Sequence, residues 1–198
     1  SKLNIDQKTI SNLFSDKRAD FLIPDYQRPY AWTRDECETL WDDLKSFAFP
    51  NDTSADFDSE NDEYFLGPIV TFKNSDGKQE IIDGQQRLTT VMLLLRAFYS
   101  KFETAQDDEI VETRKLIARC IWKTDEVGRP VFDRLKIDSE VASDDDKDEF
   151  LTILETGKAD EKMRSRYADT FRFFSEKIIA FIDKTPMWTY YFPLRILN

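Results

Sequence analysis

The chain has 198 residues, 40% of them hydrophobic and 14% aromatic, which is enough for a packed core and excludes wholesale disorder. Its formal net charge of −11 disfavours an autonomous, tight DNA binder, because phosphate contacts require a basic face. The sequence contains no histidine, which excludes a histidine general base and histidine-bearing metal sites within this chain.

The first hundred residues predict a small mixed sheet with helices packed on it. In chain order the expected elements are a helix at 6–15, a strand at 21–23, an extended segment at 24–32, a helix from about 34 to 48, an acidic loop at 51–63, strands at 64–73 and 78–83 joined by a turn at 74–77, and a helix from about 85 to 102. Thr33 and Glu36 predict a capping box at the start of the second helix.

The remaining residues predict a mainly helical part, so the fold class is α+β. The expected elements are helices at 108–122, about 144–156 and about 161–183, a turn at 128–130, a strand at 131–137 and an acidic stretch at 140–149 that forms a solvated loop or a helix start. The chain stops directly after the apolar run 187–197, and we expect that run to be exposed and to face a neighbour outside this chain.

Two features bear on the cellular compartment. Cys37 and Cys120 are far apart and predict free, buried thiols in a reducing compartment. The longest apolar run, Val91 to Leu95, is too short to cross a membrane, and the N-terminus lacks the apolar core of a signal peptide. We therefore expect a cytoplasmic protein with no membrane partner.

The stretch IIDGQQRLTT, residues 81–90, joins a strand directly to a helix and predicts an anion site. The first helical N–H groups have no partner inside the helix, and together with the helix dipole they attract negative charge. Gly84 allows close approach of a ligand, and Arg87 is unfavourable at this end of a helix unless an anion binds there. The alternative is purely structural: Asp83 caps the helix, Gln85 and Gln86 are solvated, and Arg87 pairs with a surface acid.

A second group of polar and aromatic residues occupies the proline-pinned segment DYQRPYAW, residues 25–32. Tyr26, Tyr30 and Trp32 are suited to stacking on a base, and Arg28 to binding phosphate. In the alternative interpretation Tyr30 and Trp32 pack on the sheet and Arg28 pairs locally. The functional interpretation requires the fold to bring this segment close to residues 83–87.

Three separated segments resemble a known family. They are IPDYQRPYAW at 23–32, YFLGPIV at 64–70 and IIDGQQRLTTVMLLLRA at 81–97. In this order and spacing they resemble the DGQQR-motif family, which forms the N-terminal domain of GmrSD-type modification-dependent restriction enzymes. The resemblance covers about residues 10–105 and implies a ParB/sulfiredoxin-like domain at 1–105. A helical extension at 106–198 would be continuous with that domain and truncated at its C-terminus.

The resemblance also implies a site. The residues that match the two family motifs are Asp83, Gly84, Gln85, Gln86 and Arg87 in one, and Tyr26, Gln27, Arg28 and Trp32 in the other. In that superfamily a turn of this kind holds nucleotide phosphates, here through Gly84 and Arg87. Family members are described as nucleotide-hydrolysing modules coupled to DNA restriction in anti-phage defence. Many carry a C-terminal nuclease domain of the His-Asn-His type, and that part is absent from this histidine-free chain.

Three functions are therefore considered. The first is an NTPase or nucleotide-switched domain of a restriction protein, which acts with a nuclease domain or subunit and meets DNA through the full-length protein. Asp83, Gln85, Gln86 and Arg87 would be catalytic, Asp83 would hold Mg²⁺, and Gly84 and Arg87 would bind the nucleoside triphosphate together with the upstream motif. The second is a non-hydrolysing sensor of modified DNA or of a nucleotide, and the third is a ParB-like nuclease.

Overall fold

The computed structural model describes residues 3–198. Its helices are α1 (Ile10–Ser15), α2 (Arg34–Ala48), α3 (Gln85–Phe102), α4 (Asp108–Ile121), α5 (Lys147–Thr156), α6 (Arg166–Lys184) and α7 (Tyr191–Ile196). Its strands are β1 (Leu3–Thr9), β2 (Phe21–Ile23), β3 (Phe65–Lys73), β4 (Gln79–Asp83), β5 (Trp122–Thr124), β6 (Pro130–Leu135) and β7 (Ile137–Ser139).

Within the described residues the main sheet has five strands in the order β1-β3-β4-β2-β7, and β5 and β6 form a separate ribbon. The pairs β1/β3 and β3/β4 are antiparallel, whereas β2 runs parallel to both β4 and β7. The predicted α+β class with a mixed sheet is confirmed. Strand β7 comes from beyond residue 105, so the second half of the chain completes the same sheet.

Helix α3 is the centre of the core. Every residue from Val91 to Leu95 is fully buried, and the helix packs against both α4 and α6. A helix that is apolar on all sides must be covered on all sides, which explains why α4, α5 and α6 surround it. The bounds predicted for this helix, 85–102, and for strand 21–23 are confirmed. No helix among residues 3–198 has the length and apolarity needed to cross a bilayer.

The capping box and the thiols are as predicted. The Thr33 hydroxyl accepts the Glu36 amide, and the Glu36 carboxylate accepts the Thr33 amide at 3.0 Å. Cys37 and Cys120 are both free and buried. Burial raises the pKa of Cys120 to about 12, so this thiol stays protonated near neutral pH.

The acidic stretch 140–149 leads into the first turn of α5, which is one of its two predicted forms, and Asp144 before that helix is buried. Two predictions are wrong. Residues 6–9 belong to β1, because this segment pairs with β3 before α1 begins. The apolar run 187–197 packs largely against the chain itself: Phe192 and Ile196 are buried, and the Trp188 ring stacks on Phe49 with centroids 4.6 Å apart.

Candidate functional site

The carboxyl ends of three parallel strands lie at one edge of the sheet. Strand β2 ends at Ile23, β4 at Asp83 and β7 at Ser139, so the segments that follow them emerge side by side. The Glu140 amide donates to the Ile23 carbonyl at 2.9 Å and ties two of these segments together. In sheets of this kind ligands bind outside the carboxyl ends of the strands.

Two glutamines connect the two motifs. The Gln27 amide donates to the carbonyl of Ile82 at 2.9 Å, at the end of β4. The Gln86 side chain accepts from the Ala31 amide at 2.9 Å and donates to the Pro29 carbonyl at 3.1 Å. The fold therefore brings segment 25–32 against residues 83–87, as the functional interpretation requires. Both polar groups of the Gln86 side chain are engaged by the backbone, which makes it a positioning residue in this structure.

A buried polar network lies beneath this junction. The Tyr30 hydroxyl is 2.7 Å from the Thr90 hydroxyl on α3 and 3.1 Å from the Thr170 hydroxyl on α6. The Tyr30 ring stacks on Tyr167 with centroids 4.9 Å apart, and the Tyr167 hydroxyl donates to the buried carboxylate of Asp144. Desolvation raises the pKa of both tyrosines far above the ordinary value, so the network stays protonated at its phenols. Tyr30 is thus a packing residue, but it packs between α3 and α6 and not on the sheet as the structural interpretation predicted.

The N-terminus of α3 is built differently from a capped helix. Its N-cap is Gly84, which has a φ of 94°, and no described side chain caps the first turn. Asp83 is not the N-cap that the structural alternative predicted, because its Oδ1 accepts from the adjacent Gly84 amide at 2.9 Å instead. A side chain at Gly84 would press on β3, where the Ile69 Cδ1 atom and the Pro68 carbonyl lie 2.4 and 3.1 Å from an added Cβ. Only glycine allows the turn to lie this close to the strand.

Arg87 borders an open groove between α2 and β3. Its guanidinium lies over Gly67, where an added Cβ would come within 2.3 Å of Nη1. The groove has a volume of about 470 Å³. The residues that line it include Trp32, Glu36, Asp43, Tyr64, Gly67 and Arg87.

The groove joins residues from all three segments of the resemblance. Trp32 comes from the first, Gly67 from the second and Arg87 from the third. Sequence reasoning did not select Gly67, Tyr64, Glu36 or Asp43 as site residues. Gly67 has a positive φ of 103°, a backbone conformation that favours glycine. Its position in the segment YFLGPIV was the sequence feature that could have identified it as a site residue.

The other predicted residues do not line the groove. Asp83, Arg28 and Tyr26 are exposed, and Gln85 is buried in the first turn of α3. Among residues 3–198 no group of three or more acidic or cysteine side chains is arranged to hold a metal ion. Asp83 would therefore be a single protein ligand, which suits Mg²⁺ only when phosphates and water complete its coordination.

A second hollow of about 400 Å³ lies on the other side of Trp32. Three arginines line it, Arg34, Arg166 and Arg172, and the Arg34 guanidinium lies 4.8 Å from the centre of the Phe173 ring. Arg172 is held by the carbonyls of Asp160 and Met163. Arginine and aromatic side chains thus meet between the N-termini of α2 and α6, in a hollow whose lining does not include Arg28.

Comparison with known protein families identifies the family of the chain. The sequence profile of the family described as GmrSD restriction endonuclease, N-terminal domain, matches residues 10–194. It therefore extends well beyond residue 105, through α6 and into α7. No individual curated protein matches the chain.

Proposed function

The chain belongs to the family of GmrSD restriction endonuclease N-terminal domains, and from this premise we propose that it is the nucleotide-binding regulatory domain of a restriction protein. The observation that carries the proposal is the position of Arg87, exposed beside an uncapped helix N-terminus and bordering a groove. The proposed ligand is a nucleoside triphosphate, and the proposed reaction is its hydrolysis to the diphosphate and phosphate.

The phosphates would bind between Gly84 and Arg87. A cation in the first turn of a helix opposes the helix dipole by about 0.3–1 kcal/mol. A bound phosphate reverses that sign, because it accepts both from the guanidinium and from the free amides of the first turn. Gly67 leaves room for the Arg87 guanidinium, and Gly84 lets the turn lie against Ile69 and Pro68 of β3, since an added Cβ at either position would collide with those atoms.

The base would stack in the groove. Trp32 is half-buried and Tyr64 stands on the same lining, so either ring offers a flat apolar face. Stacking of a base on an aromatic side chain contributes about 1–3 kcal/mol and tolerates different bases. The volume of about 470 Å³ lies within the ordinary range for small-molecule sites.

The groove also contains carboxylates, and their charge affects whether the triphosphate needs Mg²⁺ to bind. Glu36 and Asp43 line it, and their charge would repel a bare triphosphate. A triphosphate that arrives with Mg²⁺ carries less net charge, so we expect binding to require the metal. Asp83 would contact the metal or orient the attacking water from the rim. Gln85 would support the first turn, and Gln27 and Gln86 would hold segment 25–32 in place.

The test is calorimetric titration of the chain with the four common nucleoside triphosphates, with and without Mg²⁺, followed by a phosphate-release assay. Arg87→Ala should weaken binding by about ten- to a hundredfold, the loss expected for charge-assisted hydrogen bonds. Arg134→Ala is the matched control, because Arg134 is exposed on β6 and its substitution removes the same charge at a position outside the groove.

The outcomes separate the functions. Absence of nucleotide binding by the unmodified chain, or equal binding by both variants, contradicts the proposal. Binding without phosphate release supports a non-hydrolysing nucleotide sensor. Cleavage of DNA by this chain alone supports the third interpretation, a ParB-like nuclease.

A second candidate function is recognition of a modified base by the arginine-lined hollow. The hollow combines Trp32 with three arginines and two carboxylates, Asp169 and Glu176, and Arg172 pairs with Asp169 at 3.6 Å. Its lining therefore carries a small net positive charge in a chain whose net charge is −11. Its size suits one extruded base rather than a duplex. Binding of short single-stranded oligonucleotides, modified and unmodified, to Arg166→Ala and to the unmodified chain tests this function. Recognition of a modified base is contradicted if modified and unmodified oligonucleotides bind with equal affinity and Arg166→Ala binds both as tightly as the unmodified chain does.

A further inference from the structure

A separate cavity opens at the opposite edge of the parallel strands. It has a volume of about 300 Å³ and lies between α1, α4 and the ribbon β5–β6. Lys136, directly before β7, lines it, and the Lys136 carbonyl accepts the Phe21 amide at 2.7 Å at the start of β2. The cavity is therefore at the amino ends of the strands, whereas the groove beside Arg87 is at their carboxyl ends.

Lys136 is an unusual residue for this position. Only 1% of its surface is exposed, and none of the ion pairs between the described side chains, those of residues 9–198, includes it. A buried ammonium without a counter-charge is costly, so such groups are normally paired or functional. Desolvation lowers the pKa of Lys136, and the nearby Cys120 and Asp16 side chains, of which only Asp16 is charged near neutral pH, offset this only in part.

The rest of the lining has two chemical characters. Phe14, Leu116 and Val127 supply apolar walls, while Lys17 and Arg119 add two further cations near the mouth. No acidic side chain is among the residues that line the cavity. In a chain with a net charge of −11, an enclosed cationic cavity of this kind selects an anion.

We propose that this cavity is a binding site for a small organic carboxylate with an apolar body. The carboxylate would pair with the Lys136 ammonium, and the apolar body would lie against the walls formed by Phe14 and Leu116. A carboxylate suits the site better than a free phosphate, because a single buried ammonium balances one negative charge. The apolar walls also stabilise a ligand that buries apolar surface against them. The site is independent of the nucleotide site, since no lining residue is shared between them.

Hexanoate and hexanamide are suitable probes, because they have nearly the same shape and differ in charge. NMR titration of the uniformly ¹⁵N-labelled chain should show hexanoate binding at least about tenfold more tightly than hexanamide, with shifts confined to α1, α4 and residues 124–137. Lys136→Met should reduce hexanoate affinity at least about tenfold and leave hexanamide affinity unchanged. Lys17→Met, which removes an exposed charge at the mouth, should change it by less than about threefold.

Three results would overturn the proposal. These are equal affinity for hexanoate and hexanamide, undiminished hexanoate binding by folded Lys136→Met, and binding of inorganic phosphate as tight as that of hexanoate. The comparison of the two probes uses the unmodified chain, so it decides the matter even if Lys136→Met fails to fold. Loss of nucleotide binding in Arg87→Ala has no bearing on these measurements.

Discussion

Arg87 and Arg96 lie on the same helix and have opposite surroundings. Arg87 is exposed in the first turn of α3 and borders the groove. Arg96 is 2% exposed in the middle of the helix, where its Nε donates to the Leu154 carbonyl at 2.8 Å and its guanidinium lies 5.0 Å from the centre of the Tyr99 ring. One arginine faces an open space, and the other is fully enclosed by the chain.

The difference shows how a charge can be stabilised with or without a ligand. Leu154 lies in the last turns of α5, where unpaired carbonyls and the negative end of the helix dipole favour a cation. Arg96 therefore finds its compensation within the fold. Arg87 is at the positive end of its own helix, where the fold supplies the opposite environment. We interpret Arg96 as structural and Arg87 as functional, and the predictions below test that division.

The largest effect is expected for Arg96→Ala, which should lower the free energy of unfolding by about 3 kcal/mol. The substitution leaves the Leu154 carbonyl without its donor, removes the hydrogen bond from Nη1 to Ser100, and opens a cavity beside Trp122. Urea denaturation measures the change. Arg87→Ala, measured alongside, should stay within about 0.5 kcal/mol of the unmodified chain. Similar losses of unfolding free energy in both variants would contradict the interpretation of Arg96 as structural and Arg87 as functional.

Gly84→Ala should destabilise the chain by about 2 kcal/mol, and Gly77→Ala by about 1 kcal/mol. Both glycines have positive φ, 94° and 81°, so both variants incur the cost of a left-handed alanine. Only at Gly84 does the added Cβ also meet β3, at the Pro68 carbonyl and the Ile69 side chain. The difference between the two variants in thermal or urea unfolding isolates that contact. Equal losses would mean that the turn does not need its close approach to the strand.

Gln86→Leu should cost about 1–2 kcal/mol, because the Ala31 amide and the Pro29 carbonyl lose their hydrogen-bond partner, the buried Gln86 side chain. The same variant should weaken nucleotide binding through displacement of Trp32, although Gln86 itself is not in the groove. Hydrogen exchange at the Ala31 amide reports the loosening directly. Unchanged protection of that amide would show that the motif is held together by other contacts.

The sequence predicted the regular elements better than it predicted the site, and it left open whether the two motifs meet. Helix 85–102 was clear because its apolar pattern is continuous and Gly84 marks its start. Strand β1 was missed because short polar segments carry little periodicity, and its pairing with β3 is a tertiary effect. The role of Gln86 as a clamp on the backbone could not be read from the sequence, since it depends on where Pro29 and Ala31 lie in space.

The smallest change in stability is expected at the N-terminus of α6, which is capped by a side chain. The Ser165 hydroxyl accepts the Ala168 amide at 3.1 Å at the start of α6, whereas α3 begins at Gly84 with no described side chain in that role. Ser165→Ala should therefore cost about 1 kcal/mol of stability. Because the α6 N-terminus is occupied by its own cap, we expect nucleotide affinity to be unchanged in this variant. Calorimetric titration with the Mg²⁺ nucleotide checks this, and a loss of affinity like that of Arg87→Ala would mean that the ligand depends on α6 as much as on α3.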